Sequence, residues 1–180
     1  MKHPITAAVF LVAVAVARAD DVVEIDGLKS KIPAGWKSEK PASNERMAQF
    51  RLPKAAGDME DAAMFLFYFG KGKGGPAKEN IDRWQKMIDP PKGKTADDVS
   101  KVETFKVGDM EVTLLTMKGS YKQKKRPFDP NEEPTLKPDY CLMAAILATP
   151  NGPYFLRLTG PVKTVESHQK ALVDWLKNFK

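Results

Sequence analysis

The chain has 180 residues, one cysteine, two histidines and a formal charge of +6. That length suits one domain able to bury about 70% of its unfolded surface. The charge is too small to propose a nucleic-acid binder, and a single cysteine excludes an internal disulfide.

Residues 1–19 read as an export signal. Lys2 supplies the positive start, Ile5 to Val16 an apolar run, and Ala17-Arg18-Ala19 a small-x-small cleavage site. The run is too short to span a bilayer comfortably. The expected product is a periplasmic or extracellular protein without a transmembrane span, residues 20–180 forming a single domain. Loss of Lys2 and Arg18 leaves it only mildly basic.

Val22 to Trp36 predicts two short strands around Asp26-Gly27 and then the break Pro33-Ala34-Gly35. Met47 to Leu52 alternates Ala48, Phe50 and Leu52 against Gln49 and Arg51, a half-buried strand stopped by Pro53. Met64 to Phe69 is a continuous apolar and aromatic run, which predicts an interior strand. Gly70 to Gly75 follows, and Pro76 suits the first turn of a helix. Ile81, Trp84 and Ile88 recur at helical spacing with Met87 beside them, so this helix should run until Pro90-Pro91.

Val102 to Val107 and Glu111 to Tyr121 predict a hairpin around Gly108-Asp109. In its second strand Val112 and Leu114 face one side, Leu115 and Met117 the other. Lys122 to Asp139 has four prolines and many charges, and reads as a long loop. Leu142 to Thr149 is apolar on both faces, hence a strand covered above and below. Pro150-Asn151-Gly152-Pro153 predicts a four-residue hairpin loop to the next strand, which Gly160-Pro161 should end. Thr164 can cap a last helix whose stripe is Val165, His168, Leu172, Trp175, Leu176 and Phe179. The short links between strands favour antiparallel pairing. The expected fold is α+β, an antiparallel sheet with two main helices packed on it.

Two short motifs invite chemistry and fall short of it. Gly70 to Gly75 has the spacing of a phosphate loop, but Pro76 and Ala77 stand where lysine and a hydroxyl are needed. Cys141 and His168 are the one possible nucleophile pair in residues 20–180, with no third orienting group in view. Asp58, Glu60 and Asp61, and again Asp129, Glu132 and Glu133, do not match a calcium-loop spacing. No motif calls for a cofactor or a metal.

Several segments carry a family resemblance. They are Arg46-Met47-Ala48-Gln49-Phe50-Arg51-Leu52-Pro53, Tyr68-Phe69-Gly70 with Gly74-Gly75, Asn80-Ile81-Asp82-Arg83-Trp84, and Leu158-Thr159-Gly160-Pro161. Together they resemble an exported, uncharacterised bacterial family. Ile32-Pro33-x-Gly35-Trp36 is similar to the entry of PsbP-like domains, antiparallel α-β-α sandwiches that act mostly as binding or assembly modules. The resemblance implies that fold and a non-enzymatic role, and carries no catalytic residues.

The expected function is therefore an exported protein-binding or assembly module of the cell envelope, its partner an envelope protein or an anionic surface. The alternatives are a binder of a small or lipid-like ligand walled by Phe65, Phe67, Trp84 and Trp175, and then a hydrolase. The candidate binding residues are the basic, aromatic run Lys122, Lys124, Lys125, Arg126 and Phe128, together with Asn80 and Arg83 from the family motif.

Overall fold

The computed structural model describes residues 22–41, 43–124, 129 and 131–180. The export signal read over residues 1–19 lies outside them. The fold is α+β: a mostly antiparallel sheet carries one helix on each face. In chain order the strands are β1 Val22–Ile25, β2 Leu28–Lys31, β3 Lys37–Glu39, β4 Arg46–Leu52 and β5 Ala62–Tyr68. Helix α1 Ala77–Gln85 precedes β6 Ile88–Asp89, β7 Ser100–Val107 and β8 Met110–Gln123. Strands β9 Thr135–Thr149 and β10 Gly152–Pro161 lead into α2 Val162–Lys177.

The main sheet runs β3-β4-β5-β10-β9-β8-β6, with β7 also on β8, while β1 and β2 pair apart from it. Strand β9 is central, which explains its apolar sequence: every residue from Leu142 to Leu147 is buried. Its alternate residues feed two separate cores. Cys141, Met143, Ala145 and Leu147 join Phe50, Leu66, Leu156 and the α2 residues Leu172 and Trp175. Leu142, Ala144 and Ile146 join Phe155 and Trp84 of α1. Strand β8 divides as its alternation predicts, Val112 and Leu114 to the α2 side, Leu115 and Met117 to the α1 side. Each such side chain, fully buried, contributes about 1.5–3 kcal/mol.

Four local expectations are corrected. The β9–β10 loop has two residues, Pro150 and Asn151, because Gly152 already pairs with Thr149 and Pro153 with Ala148. Gly152 takes φ 116°, and a Cβ there would stand 3.0 Å from the Cα of Lys71, so only glycine closes this turn. Pairing with β5 begins at Tyr154, so Pro153 has a strand on one side only, where a missing N–H is tolerated.

The segment from Lys122 to Asp139 is partly sheet. Tyr121, Lys122 and Gln123 pair with Lys137, Leu136 and Thr135, and a bulge between Gly119 and Tyr121 takes in Pro138 and Asp139. Asp139 stands at φ 56°. The bulge lets the ladder pass a proline that a regular strand would reject.

Helix α1 stops at Gln85, and Ile88 lies in β6, paired with Tyr121. The Lys122 N–H donates to the Met87 carbonyl at 2.9 Å, so the sheet takes over the backbone that the helix would have used. Helix α2 starts directly after Pro161, and Thr164 is inside its first turn. The cap comes from elsewhere: the Asp58 carboxylate accepts the Thr164 N–H at 2.8 Å and its hydroxyl at 2.6 Å.

The helices cover unequal areas. Helix α2, with 16 residues, is about 24 Å long; α1, with nine, is about 14 Å long. Helix α1 lies against β8 and over Phe155. It leaves the β4–β5 side of its face uncovered, where Phe65 and Phe67 are only half-buried.

Candidate binding face

The predicted site residues are dispersed. Lys122, next to last in β8, pairs with Asp89 at 3.2 Å; Lys124 donates to the Asp129 carbonyl at 3.2 Å. Lys125, Arg126 and Phe128 lie outside the described residues. Asn80 is buried and binds three carbonyls through its amide, those of Gly74 at 2.8 Å, Pro76 at 3.0 Å and Gly75 at 3.4 Å. It ties the glycine loop to α1. Arg83 donates to the Asn80 Oδ1 at 3.3 Å rather than to a carboxylate.

The glycine loop is itself a packing device. Gly74 has φ 91°, and a Cβ there would meet the Phe155 ring at 2.4 Å. The four aromatic walls of the small-ligand alternative do not meet either. Phe65, Phe67 and Trp84 belong to the α1 face, whereas Trp175 packs on the α2 face against Trp36, Phe50 and Phe179. Cys141 and His168 serve separate contacts. The His168 Nε2 donates to the Pro53 carbonyl at 2.9 Å, and burial pushes the Cys141 thiol up to about 11.

The uncovered part of the α1 face holds a different set. Strand β5 presents Phe65 and Phe67 there, and Phe69 just beyond its end is 47% exposed. Arg46 of β4 lies opposite Phe67, and Arg157 of β10 lies opposite Phe65. The Arg46 guanidinium stands 4.4 Å from the Phe65 ring centre and 5.9 Å from that of Phe67. The Arg157 guanidinium is 5.8 and 5.9 Å from the same two centres. Two like charges thus share one pair of rings, each favoured by the negative ring faces.

Neither arginine has a carboxylate partner among the described residues. Arg46 donates to the Gln49 Oε1 at 3.1 Å, and Gln49 in turn donates to Glu39 at 2.7 Å. Among the described residues the Arg157 guanidinium donates to the Met87 sulfur alone, at 3.7 Å, and its buried Nε has no acceptor. Burial lowers the Arg157 guanidinium from its ordinary value, Tyr121 acting against this and Arg46 adding to it. A guanidinium still keeps its charge at neutral pH.

Two other cations on the strands are paired. Arg51 holds Glu39 at 3.1 Å, and Lys137 holds Glu60 at 2.7 Å. Tyr140, stacked on Tyr121, donates a short hydrogen bond to the same Glu60. Burial and this carboxylate raise the Tyr140 phenol, while hydrogen bonds from Lys137 and then Tyr140 lower Glu60. The face is open. Two shallow grooves of about 310 and 370 Å³ lie away from these rings, one beside β1 and β4, the other beside Ser100 and Gln169.

No family model matches the chain, and no curated protein does. It is similar in backbone to the crystal structure of a Pseudomonas aeruginosa protein of unknown function. The identity is 12%, over 87% of this chain and 92% of that one, at a TM-score of 0.48. Among the described residues no helix is long and apolar enough to cross a membrane.

The sequence analysis did not single out Arg46 and Arg157 as a pair. One signal was present: Arg157 is the only charged residue in the apolar run from Tyr154 to Thr159. A lone charge at a position whose strand neighbours are buried marks either a hidden ion pair or a binding group.

Proposed function

We propose that this chain is an exported, non-enzymatic module of the cell envelope that binds a protein partner through the uncovered β4–β5–β10 face. The observation that carries the reading is the pair Arg46 and Arg157 on Phe65 and Phe67, without a carboxylate partner among the described residues. Arginine and aromatic side chains are enriched at protein interfaces, and such anchors carry most of the binding energy. Guanidinium and phenyl groups offer charge and stacking surface, and neither changes its protonation state at neutral pH.

The export part rests on the signal-like residues 1–19. Kinship with PsbP-like domains is supported by Ile32-Pro33-x-Gly35-Trp36 and by helices on opposite faces of an antiparallel sheet. The test is site-specific photocrosslinking in the intact envelope. A photoreactive phenylalanine replacing Phe69 should give one discrete protein adduct, and the same group replacing Lys170 on the outer side of α2 should give none. Identical adduct patterns from the two positions would reject this face as the interface.

A further inference from the structure

We propose that Arg46 and Arg157 form a receptor for a carboxylate, presented by an acidic segment of a polypeptide partner with an apolar side chain next to the acid. This rests on the protein-binding reading above and specifies its chemistry.

The charge pattern is the first argument. Arg51, Lys137 and Lys122 each hold a carboxylate, Glu39, Glu60 and Asp89 in turn. Arg46 and Arg157 have none among the described residues. Ordinary surface arginines separate when they lack counter-ions; these two are held on the same rings by strand register, Arg157 opposite Phe65 and Arg46 opposite Phe67. Their mutual repulsion is relieved by an anion, which also brings acceptors for the unused N–H groups. The Arg157 Nε is buried and unpaired, so it is already desolvated before a ligand arrives. Arg46 is oriented by Gln49, which is itself fixed by Glu39. A planar fork held in place is suited to two parallel hydrogen bonds to a carboxylate.

Shape decides in favour of a polypeptide. Neither groove is lined by Arg46, Arg157, Phe65 or Phe67, and the strip they form ends in Phe69, 47% exposed, which gives a small free molecule little enclosure. It does offer a flat aromatic strip. Phe67 stacks on Phe69 at 6.1 Å between ring centres, and Phe69 contacts Phe155 at 5.7 Å. An apolar residue beside the acid covers this strip.

The experiment follows the arginine Nε–H signals of the exported chain by NMR during titration with acetyl-Phe-Glu-Glu-Leu-amide. Acetyl-Phe-Gln-Gln-Leu-amide and inorganic phosphate serve as the comparison probes. The Arg46 and Arg157 signals should shift and saturate with the acidic peptide, at least tenfold more tightly than with the glutamine peptide. Arg46→Gln, a half-exposed change that should leave the fold intact, should weaken the acidic peptide about tenfold or more, a loss of about 1.4 kcal/mol. Equal affinity for the two peptides, or no effect of Arg46→Gln, overturns the proposal. Tighter saturation by phosphate also overturns it, in favour of an inorganic oxyanion site. The two levels fail separately. A crosslinked partner at position 69 without peptide binding removes the carboxylate receptor and keeps the interface; peptide binding without a crosslinked partner does the reverse.

Discussion

Replacing Arg157 by methionine should stabilise the protein and abolish recognition together. The native guanidinium has a buried Nε without an acceptor, which costs about 1–3 kcal/mol. It also faces Arg46. Distances of 4.4 and 5.8 Å to the Phe65 ring centre keep the two guanidiniums within about 10 Å of each other. At an effective dielectric constant of 20, a separation of that order corresponds to about 1–2 kcal/mol of repulsion before salt screening. Against this stand cation–π contacts with Phe65 and Phe67, together worth about 1–3 kcal/mol. Methionine keeps much of the side-chain volume and the contact with Met87. The net expectation is a gain of about 1 kcal/mol, or about 2–4 °C in Tm for a domain of this size. Urea denaturation at pH 7 should show a higher midpoint with an unchanged slope. The acidic peptide should no longer bind Arg157→Met. A fall in Tm of several degrees would refute the reasoning, because it would make Arg157 a packing or paired residue rather than an unmatched charge held for a ligand.

Gly74→Ala forces a Cβ to within 2.4 Å of the Phe155 ring at φ 91°, and should cost about 2–4 kcal/mol. Gly72→Ala has φ 71° and open space, and should cost only about 1 kcal/mol; equal losses in urea would remove the Phe155 contact as the cause. Cys141 is buried and its thiol is pushed up to about 11, so a thiol reagent at pH 8 should label it only as fast as the chain unfolds. Labelling within seconds under native conditions would contradict that burial. Glu60 is lowered below the ordinary 4.5 by Lys137 and Tyr140, so the folded state binds its proton less readily than the unfolded one. Its contribution is present above about pH 4.5 and is lost as pH falls through the folded value. Glu60→Gln should flatten this acid slope in denaturation curves taken from pH 3 to 6, and an unchanged slope would assign it to other carboxylates.

The linear pattern was a good guide wherever one side chain's environment depends on its neighbours along the strand. The alternation in β8 sent Val112 and Leu114 to one core and Leu115 and Met117 to the other. The double-faced run Leu142 to Leu147 identified the strand that became the centre of the sheet. The Asp26-Gly27 turn formed with both residues at positive φ, as a two-residue hairpin requires. Pattern failed where a partner from another part of the chain overrode a local preference. Ile88 continued the helical stripe but was drawn into pairing with Tyr121. Pro138 reads as a loop residue, yet a bulge accommodates it beside a paired ribbon. Thr164 reads as a cap, yet Asp58 from the β4–β5 loop performs that task.

The sequence by itself determined the α+β class, the antiparallel pairing of neighbouring strands and the two-sided burial of β8 and β9, because side-chain periodicity and turn chemistry are local properties. It did not determine that Phe65 and Phe67 of the run read as an interior strand would be only half-buried, with Phe69 exposed beyond it. Only the tertiary structure decided that α1 would be too short to cover its face, and that β4 and β10 would flank β5. That strand order sets Arg46 and Arg157 on the same two rings. Charge balance at a point in space depends on which strands become neighbours, and a linear pattern of residues does not contain that information.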